Sequence, residues 1–260
     1  MRKVLLRRRR RGGAVDPITA AYDAIYAESE AAILTLLPVY RGQQMLWQDL
    51  DGESSPVEDP ADPVGAIRDR DGNLIAQAPT LGDRGVWSPT QGIIFSGSQQ
   101  YDLSSEWQIP PNVNQSIYVD TVRELDPFAA LLGWASGGSA IAYLLAQTTN
   151  ERFSLRVGQT GGAAANSANN AFPNGRRILA SVADTSDYVG YVDLAAVNGQ
   201  AVGSSTPAGS VVAKLGARNT GTGAGEFFYT GSIASAVYYS EVHDATKRAE
   251  IDALLRGMTT

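Results

Sequence analysis

The chain has one histidine, His243, and Asp244 stands beside it. A Ser-His-Asp relay would have to use this pair, yet no Gly-x-Ser-x-Gly elbow or other nucleophile signal accompanies it. Its place at the start of a terminal helix reads as a surface residue near a cap. Cysteine is absent, which removes thiol nucleophiles, disulfides and thiolate-bound metals together. Retaining glycoside hydrolysis needs two carboxyl groups about 5 Å apart on one face. Glu124-Leu-Asp126 comes nearest to that spacing, but Pro127 follows it directly at a strand end. Gly221-Thr-Gly-Ala-Gly225 lacks the Lys-Ser/Thr and the helix that a phosphate cradle needs. Asp69-Arg-Asp-Gly-Asn73 alternates acids before a glycine, as calcium loops do, but lacks their distal glutamate and reads as a plain turn. The sequence therefore predicts a protein that is not an enzyme and uses no cofactor and no metal.

Binding chemistry has better material. Trp87, Tyr101, Trp107 and Phe172 fall near expected loops, where an exposed ring with polar neighbours could stack on a sugar. Packing is the competing role for each of them, and Trp134, which ends an apolar strand, is expected in the core. Charge is distributed unevenly. Of 21 basic residues, seven (Arg2, Lys3, Arg7, Arg8, Arg9, Arg10 and Arg11) lie in the first eleven positions, which leaves 14 basic against 27 acidic groups, or −13, on the rest. An acidic body repels polyanions, so only this basic arm could meet nucleic acid or an acidic partner. Val4, Leu5 and Leu6, set between the basic flanks, favour docking on a partner's strand edge, because a pure polyanion binder has no use for them. A solvated tail and phosphate binding are the alternatives. Three apolar residues are too few for the core of a cleaved secretion signal, and no run is long enough to span a membrane.

The elements that must position these groups are mostly short strands. With 27 Gly and 12 Pro among 260 residues, the chain favours strands joined by turns. Residues 1–13 form the basic arm, closed by the flexible pair Gly12-Gly13. Residues 14–45 are expected to be helical. Asp16-Pro17 makes a helix start, and Ile18, Tyr22, Ile25, Ile33, Leu36 and Leu37 share one face at helical spacing over 17–37, as one helix or two short ones. That stripe predicts self-association unless it folds back on the body. Residues 46–91, rich in Asp, Pro and Gly, read as an irregular lead-in. Strand patterns begin at Gly92 and recur at 116–119, 129–134, 140–145, 153–157, 178–182, 188–192, 211–215, 227–228 and 233–239. A loop of small residues spans 158–175. A final helix starts at Asp244, places Ala249, Ile251, Leu254 and Leu255 on one side, and stops at Gly257.

Within this frame, Ser96-Gly-Ser-Gln-Gln-Tyr-Asp-Leu103, the paired runs Ile178–Asp184 and Tyr188–Asp193, and Gly225–Tyr239 resemble concanavalin A-like jelly rolls of the laminin-G type. The resemblance covers about residues 92–260. Upstream, Leu46-Trp-Gln-Asp-Leu-Asp-Gly52, Asp62-Pro-Val-Gly65, Ile67–Asn73 and Gln77-Ala-Pro-Thr80 are similar to the lead-in of such domains in phage structural proteins. The resemblance implies a mainly β antiparallel jelly-roll sandwich in a virion appendage or decoration protein, a head spike or tail fibre. Such a protein would be anchored to other virion proteins by its arm, oligomeric, and turned outward for host-surface polysaccharide. A cement protein without ligand is the alternative, and a glycoside hydrolase is the minority one. Fold alone does not choose among them.

Overall fold

A computed structural model describes residues 17–36, 39–40, 43–124, 128–136, 140–159 and 165–258. The basic arm, Arg2 to Arg11 with Val4, Leu5 and Leu6, lies outside the described residues, and so does Leu37. The described chain is a mainly β antiparallel sandwich with a helix near each end, α1 (Pro17–Glu28) and α2 (Ala245–Gly257).

The first sheet runs, edge to edge, through Ala195–Ala201, Asp187–Val192, Gly175–Ala183, Gln115–Arg123, Thr230–Tyr239, Gly92–Ser96, Gly85–Ser88 and Pro63–Val64. The second runs through Ala165–Asn166, Arg152–Gln159, Ala140–Thr148, Ala129–Ser136, Lys214–Leu215, Tyr101–Leu103, Leu74–Gln77, Ala66–Arg68 and Leu46–Trp47. Alternation along each strand sends one set of side chains between the sheets. Ile117, Val119, Tyr143, Leu145, Phe153, Leu155, Val157 and Leu179 belong to this main core.

The other face of the first sheet is also covered. Tyr118, Ile178, Ala180, Val237 and Tyr239 point outward and meet Ala21, Tyr22 and Ile25 of α1 and Ile251 and Leu255 of α2 in a second buried cluster. Asp244 caps α2 as expected, its carboxylate accepting the Lys247 amide at 2.8 Å. The helix ends at Gly257 as expected, though not through a left-handed cap: Gly257 is its last residue and Met258 follows in a right-handed conformation.

Three expectations are corrected here. The helix over 17–37 ends at Glu28, and Ala31–Leu34 is a strand beside Thr230–Tyr239, with Ile33 opposite Ala236. Ile33 enters the main core, while Ala32, Leu34 and Leu36 enter the second cluster. A strand buried on both faces is apolar throughout, and over a few residues that looks like a continuation of a helical stripe. The stripe is therefore spent inside the molecule: Tyr22, Ile25, Ile33 and Leu36 are buried by the chain itself, and Ile18 packs against the same cluster. Among the described residues the stripe folds back on the body, the alternative to self-association. Residues 46–91 are not a mere lead-in, since Leu46–Trp47, Ala66–Arg68 and Leu74–Gln77 extend the second sheet and Pro63–Val64 and Gly85–Ser88 the first. The sandwich thus begins at Ala31, not at residue 92. The turns between these short strands are held by aspartates, as their composition implies. Asp69 accepts the amides of Asp71 and Asn73 at 2.9 and 2.8 Å, and Asp62 those of Glu58 and Asp59, each at 3.0 Å.

Candidate functional site

The aromatic residues singled out for sugar stacking are core residues. Trp107 and Phe172 have no exposed surface, Tyr101 has none, and Trp87 keeps 6%. Tyr101 donates its hydroxyl to the Val64 carbonyl at 2.7 Å and accepts the Gly85 amide at 3.0 Å. The Trp87 indole donates to the Thr35 carbonyl at 2.7 Å. Phe172 is drawn inward from the small-residue loop, and buried Arg123 donates to its carbonyl at 2.9 Å. The physical reason is common to all four. A large ring in a loop that crosses the end of a sandwich removes more apolar surface from water by turning in than by turning out. None of them can offer a face to a ligand.

His243 is also buried, not superficial, with 2% of its surface exposed. Nδ1 lies 2.8 Å from the Tyr118 hydroxyl and Nε2 3.1 Å from Glu241 Oε1. The ring packs against Tyr239 under the start of α2, with centroids 4.5 Å apart. Burial depresses its pKa below the usual 6.5, against the opposing pull of Glu241. A neutral imidazole is thus favoured in the fold, and stability carried by His243 is full above pH 6.5 and is lost as pH falls below that value through the depressed one. The melting temperature of the parent is expected to drop more between about pH 7 and 5.5 than that of His243→Gln. Parallel melting curves in scanning fluorimetry would refute this assignment.

The outer face of the second sheet carries a further group of charged and aromatic side chains, of which Phe227 is exposed and Lys214 and Arg218 are buried. In Arg152–Gln159 the residues Phe153, Leu155 and Val157 enter the core, so Arg156 points outward. Register places Arg156 opposite Leu144, Leu144 opposite Gly133, Gly133 opposite Lys214, and Lys214 opposite Asp102. One row across the sheet therefore carries a guanidinium at one end and a Lys214–Asp102 ion pair further along. Between them, Ala130, Ala135, Ile141, Leu144 and Ala146 form a small buried patch under Phe128.

A hairpin, Arg218–Asn219 with Gly225–Glu226, is attached to this sheet, and its end supplies the remaining groups. Arg218 pairs with Glu226 at 2.6 Å and lies 4.5 Å from the ring centroid of Phe227. Phe227 and Phe128 meet edge to face, centroids 5.0 Å apart at 87°. The Arg156 guanidinium is 5.9 Å from the Phe128 centroid. An aromatic pair is thus flanked by two guanidinium groups. Phe227 is 41% exposed, and its backbone sits at φ 52°. Holding a phenylalanine in that left-handed region costs about 1–2 kcal/mol, offset here by its carbonyl, which accepts the Ala130 amide at 2.8 Å. The left-handed backbone at Phe227 turns its ring toward solvent.

The two guanidinium groups differ. Arg218 is committed to Glu226. Arg156 has no acceptor among the described residues, and its Nε is shielded from water without a hydrogen bond. Burial, and then the charge of Arg218, lower its pKa below the usual arginine value. The alternation Phe153-Ser-Leu-Arg-Val157 in the sequence already marks Arg156 as outward. Phe227 reads there as part of a strand and gives no signal of its backbone.

No family model matches the chain, and no curated protein matches its sequence. Solved structures match its fold. The CBM40 module of the Ruminococcus gnavus IT-sialidase superposes with a TM-score of 0.51 at 17% identity, over 64% of this chain and 96% of the module. The same module bound to alpha2,3 sialyllactose gives 0.50 at 18% identity over the same shares. NanB in complex with Optactamide gives 0.50 at 15% identity, over 62% of this chain but 27% of that chain. At these identities the likeness is one of fold alone: the chain shares a β-sandwich with carbohydrate-binding modules of sialidases.

Proposed function

We propose that the chain is a glycan-binding β-sandwich module of a virion appendage, presenting the Phe227 face of its second sheet to host-surface polysaccharide. The single observation that carries this reading is the exposed, strained Phe227 ring beside Phe128, flanked by Arg156 and Arg218. A sugar's apolar face packs on such a ring while guanidinium donors bond its oxygens. The fold supports the reading, since a module of like fold has been solved with a sialylated sugar bound. Affinity at one such ring is weak, and several copies on a particle raise it by avidity.

A glycan array with the full chain and with Phe227→Ala tests it. The parent retains a defined set of bacterial surface glycans. Phe227→Ala weakens each by about 1 kcal/mol, or about fivefold in Kd, at unchanged melting temperature. A blank array for the parent would leave the ligand-free cement role, and release of reducing ends would make the protein a hydrolase.

The virion part of the proposal rests on the residues that resemble phage lead-in segments and on the arm. Seven positive charges opposite a −13 body would orient the arm toward an acidic virion partner, and Val4, Leu5 and Leu6 would supply the salt-resistant part of the contact. Replacing Arg7 to Arg11 with Ser slows incorporation into particles most at low salt. Replacing Val4, Leu5 and Leu6 with Ser weakens it at every salt concentration. Assembly of both variants like the parent would leave a solvated tail, and retardation of DNA by the full chain but not by residues 14–260 would make the arm a nucleic-acid binder.

A further inference from the structure

The asymmetry between the two guanidinium groups carries a narrower statement, which rests on the glycan-binding reading of the same face. Arg218 already has Glu226 at 2.6 Å, and its charge is balanced. Arg156 is half-buried beside Phe128, with its Nε out of contact with water and with no hydrogen-bond acceptor or carboxylate on it among the described residues. A guanidinium is a planar fork of five donors, and keeping it partly desolvated without a partner is unfavourable unless a ligand completes it. The charge of a second cation, Arg218, acts on it, and the carboxylate beside Arg218 is already engaged. Among the described residues, Arg156, Arg218 and Glu226 together carry one unbalanced positive charge, at Arg156.

We infer that the site selects a sugar bearing a carboxylate, which Arg156 receives through paired N–H···O bonds while the sugar ring lies against Phe227. Arg rather than Lys suits this role, because the flat fork matches a flat carboxylate and fixes its orientation relative to the aromatic ring. Two kinds of glycan carry that chemistry, those ending in sialic acid and those containing uronic acid. A neutral sugar offers Arg156 only hydroxyl and ring oxygens, which accept without the opposite charge and paired geometry of a carboxylate.

Calorimetry with the full chain and four probes separates these cases: sialyllactose, a trigalacturonate, lactose, and the methyl ester of whichever acid binds. The expected result is a preference of at least tenfold for one acidic sugar over lactose. Esterification, which keeps the shape and removes the charge, abolishes it. In Arg156→Gln the acid-to-neutral ratio falls to about one, and Arg156→Lys restores only part of it. Which acid binds identifies the source of the carboxylate. Equal binding of acid, ester and lactose by the parent, or a preference that survives in Arg156→Gln, overturns the inference and leaves the glycan reading standing. Equally tight binding of a sulfated lactose overturns it in favour of a general anion site. If no sugar of either kind binds at millimolar concentration, the glycan reading falls and this inference with it. The ester comparison uses the parent protein alone, so the test holds even if a variant fails to fold.

Discussion

Trp107→Ala is expected to lower the free energy of unfolding by about 3–5 kcal/mol, the cost of emptying the space of a fully buried aromatic ring. Trp107 ends a short 3-10 turn, Ser105–Trp107, and has no exposed surface. Its ring belongs to the main core, and its carbonyl accepts the hydroxyl of Tyr143, itself fully buried. Its indole nitrogen is buried without an acceptor, so the ring contributes through apolar area, and loss of a hydrogen bond does not enter the change. For a chain of this size the effect amounts to a fall of roughly 6–20 °C in melting temperature. Sugar binding per folded molecule should be unaltered, because Trp107 presents nothing to solvent. Urea titration followed by tryptophan fluorescence, with binding measured well below the new midpoint, reads both quantities. A small loss of stability with abolished binding would restore Trp107 to the site and overturn the packing assignment.

The same residue shows where the sequence is legible and where it is not. Several longer strands after Gly92, such as Phe153–Val157 and Ile233–Tyr239, announce themselves because their pattern is long enough to stand out from composition, whereas the polar strand Ala195–Ala201 does not, and Phe227-Phe228, expected as a strand, lies in none. Asp244 announces α2 because a capping carboxylate has one job at that position. Strands of two to four residues, such as Leu46–Trp47, Pro63–Val64 and Ala66–Arg68, have no period to read, and their Asp- and Gly-rich turns dominate the local composition. Ala31–Leu34 fails for a different reason: two separate clusters bury its two faces, which erases alternation. The aromatic candidates fail because nearness to a loop does not say which way a ring points, and all four point inward. Arg156 is legible as an outward residue from the alternation around it. Phe227 was not legible, since its exposure depends on a left-handed φ that only the fold imposes.

Ile25→Ala is expected to cost about 2–5 kcal/mol and to leave the molar mass in solution unchanged. The reason lies in where the apolar stripe of α1 goes. Ile25 has no exposed surface, and Ala21 and Tyr22 beside it are buried. They meet Leu34 and Leu36 from the following segment, Tyr118 and Val237 from the first sheet, and Ile251 and Leu255 from α2. A cavity at Ile25 therefore loosens the joint that fastens both helices to the sheet. The ion pair between Glu28 and Lys247, which ties the same two helices at the surface, is half in water and contributes less than about 1 kcal/mol. Lys247→Ala should accordingly move the unfolding midpoint little, which separates packing from charge at this joint. Denaturant unfolding gives the stabilities, and light scattering on the same samples gives the mass. If the parent is an oligomer that Ile25→Ala dissociates without loss of stability, then α1 joins molecules to one another, and its burial within one chain is the wrong account of that stripe.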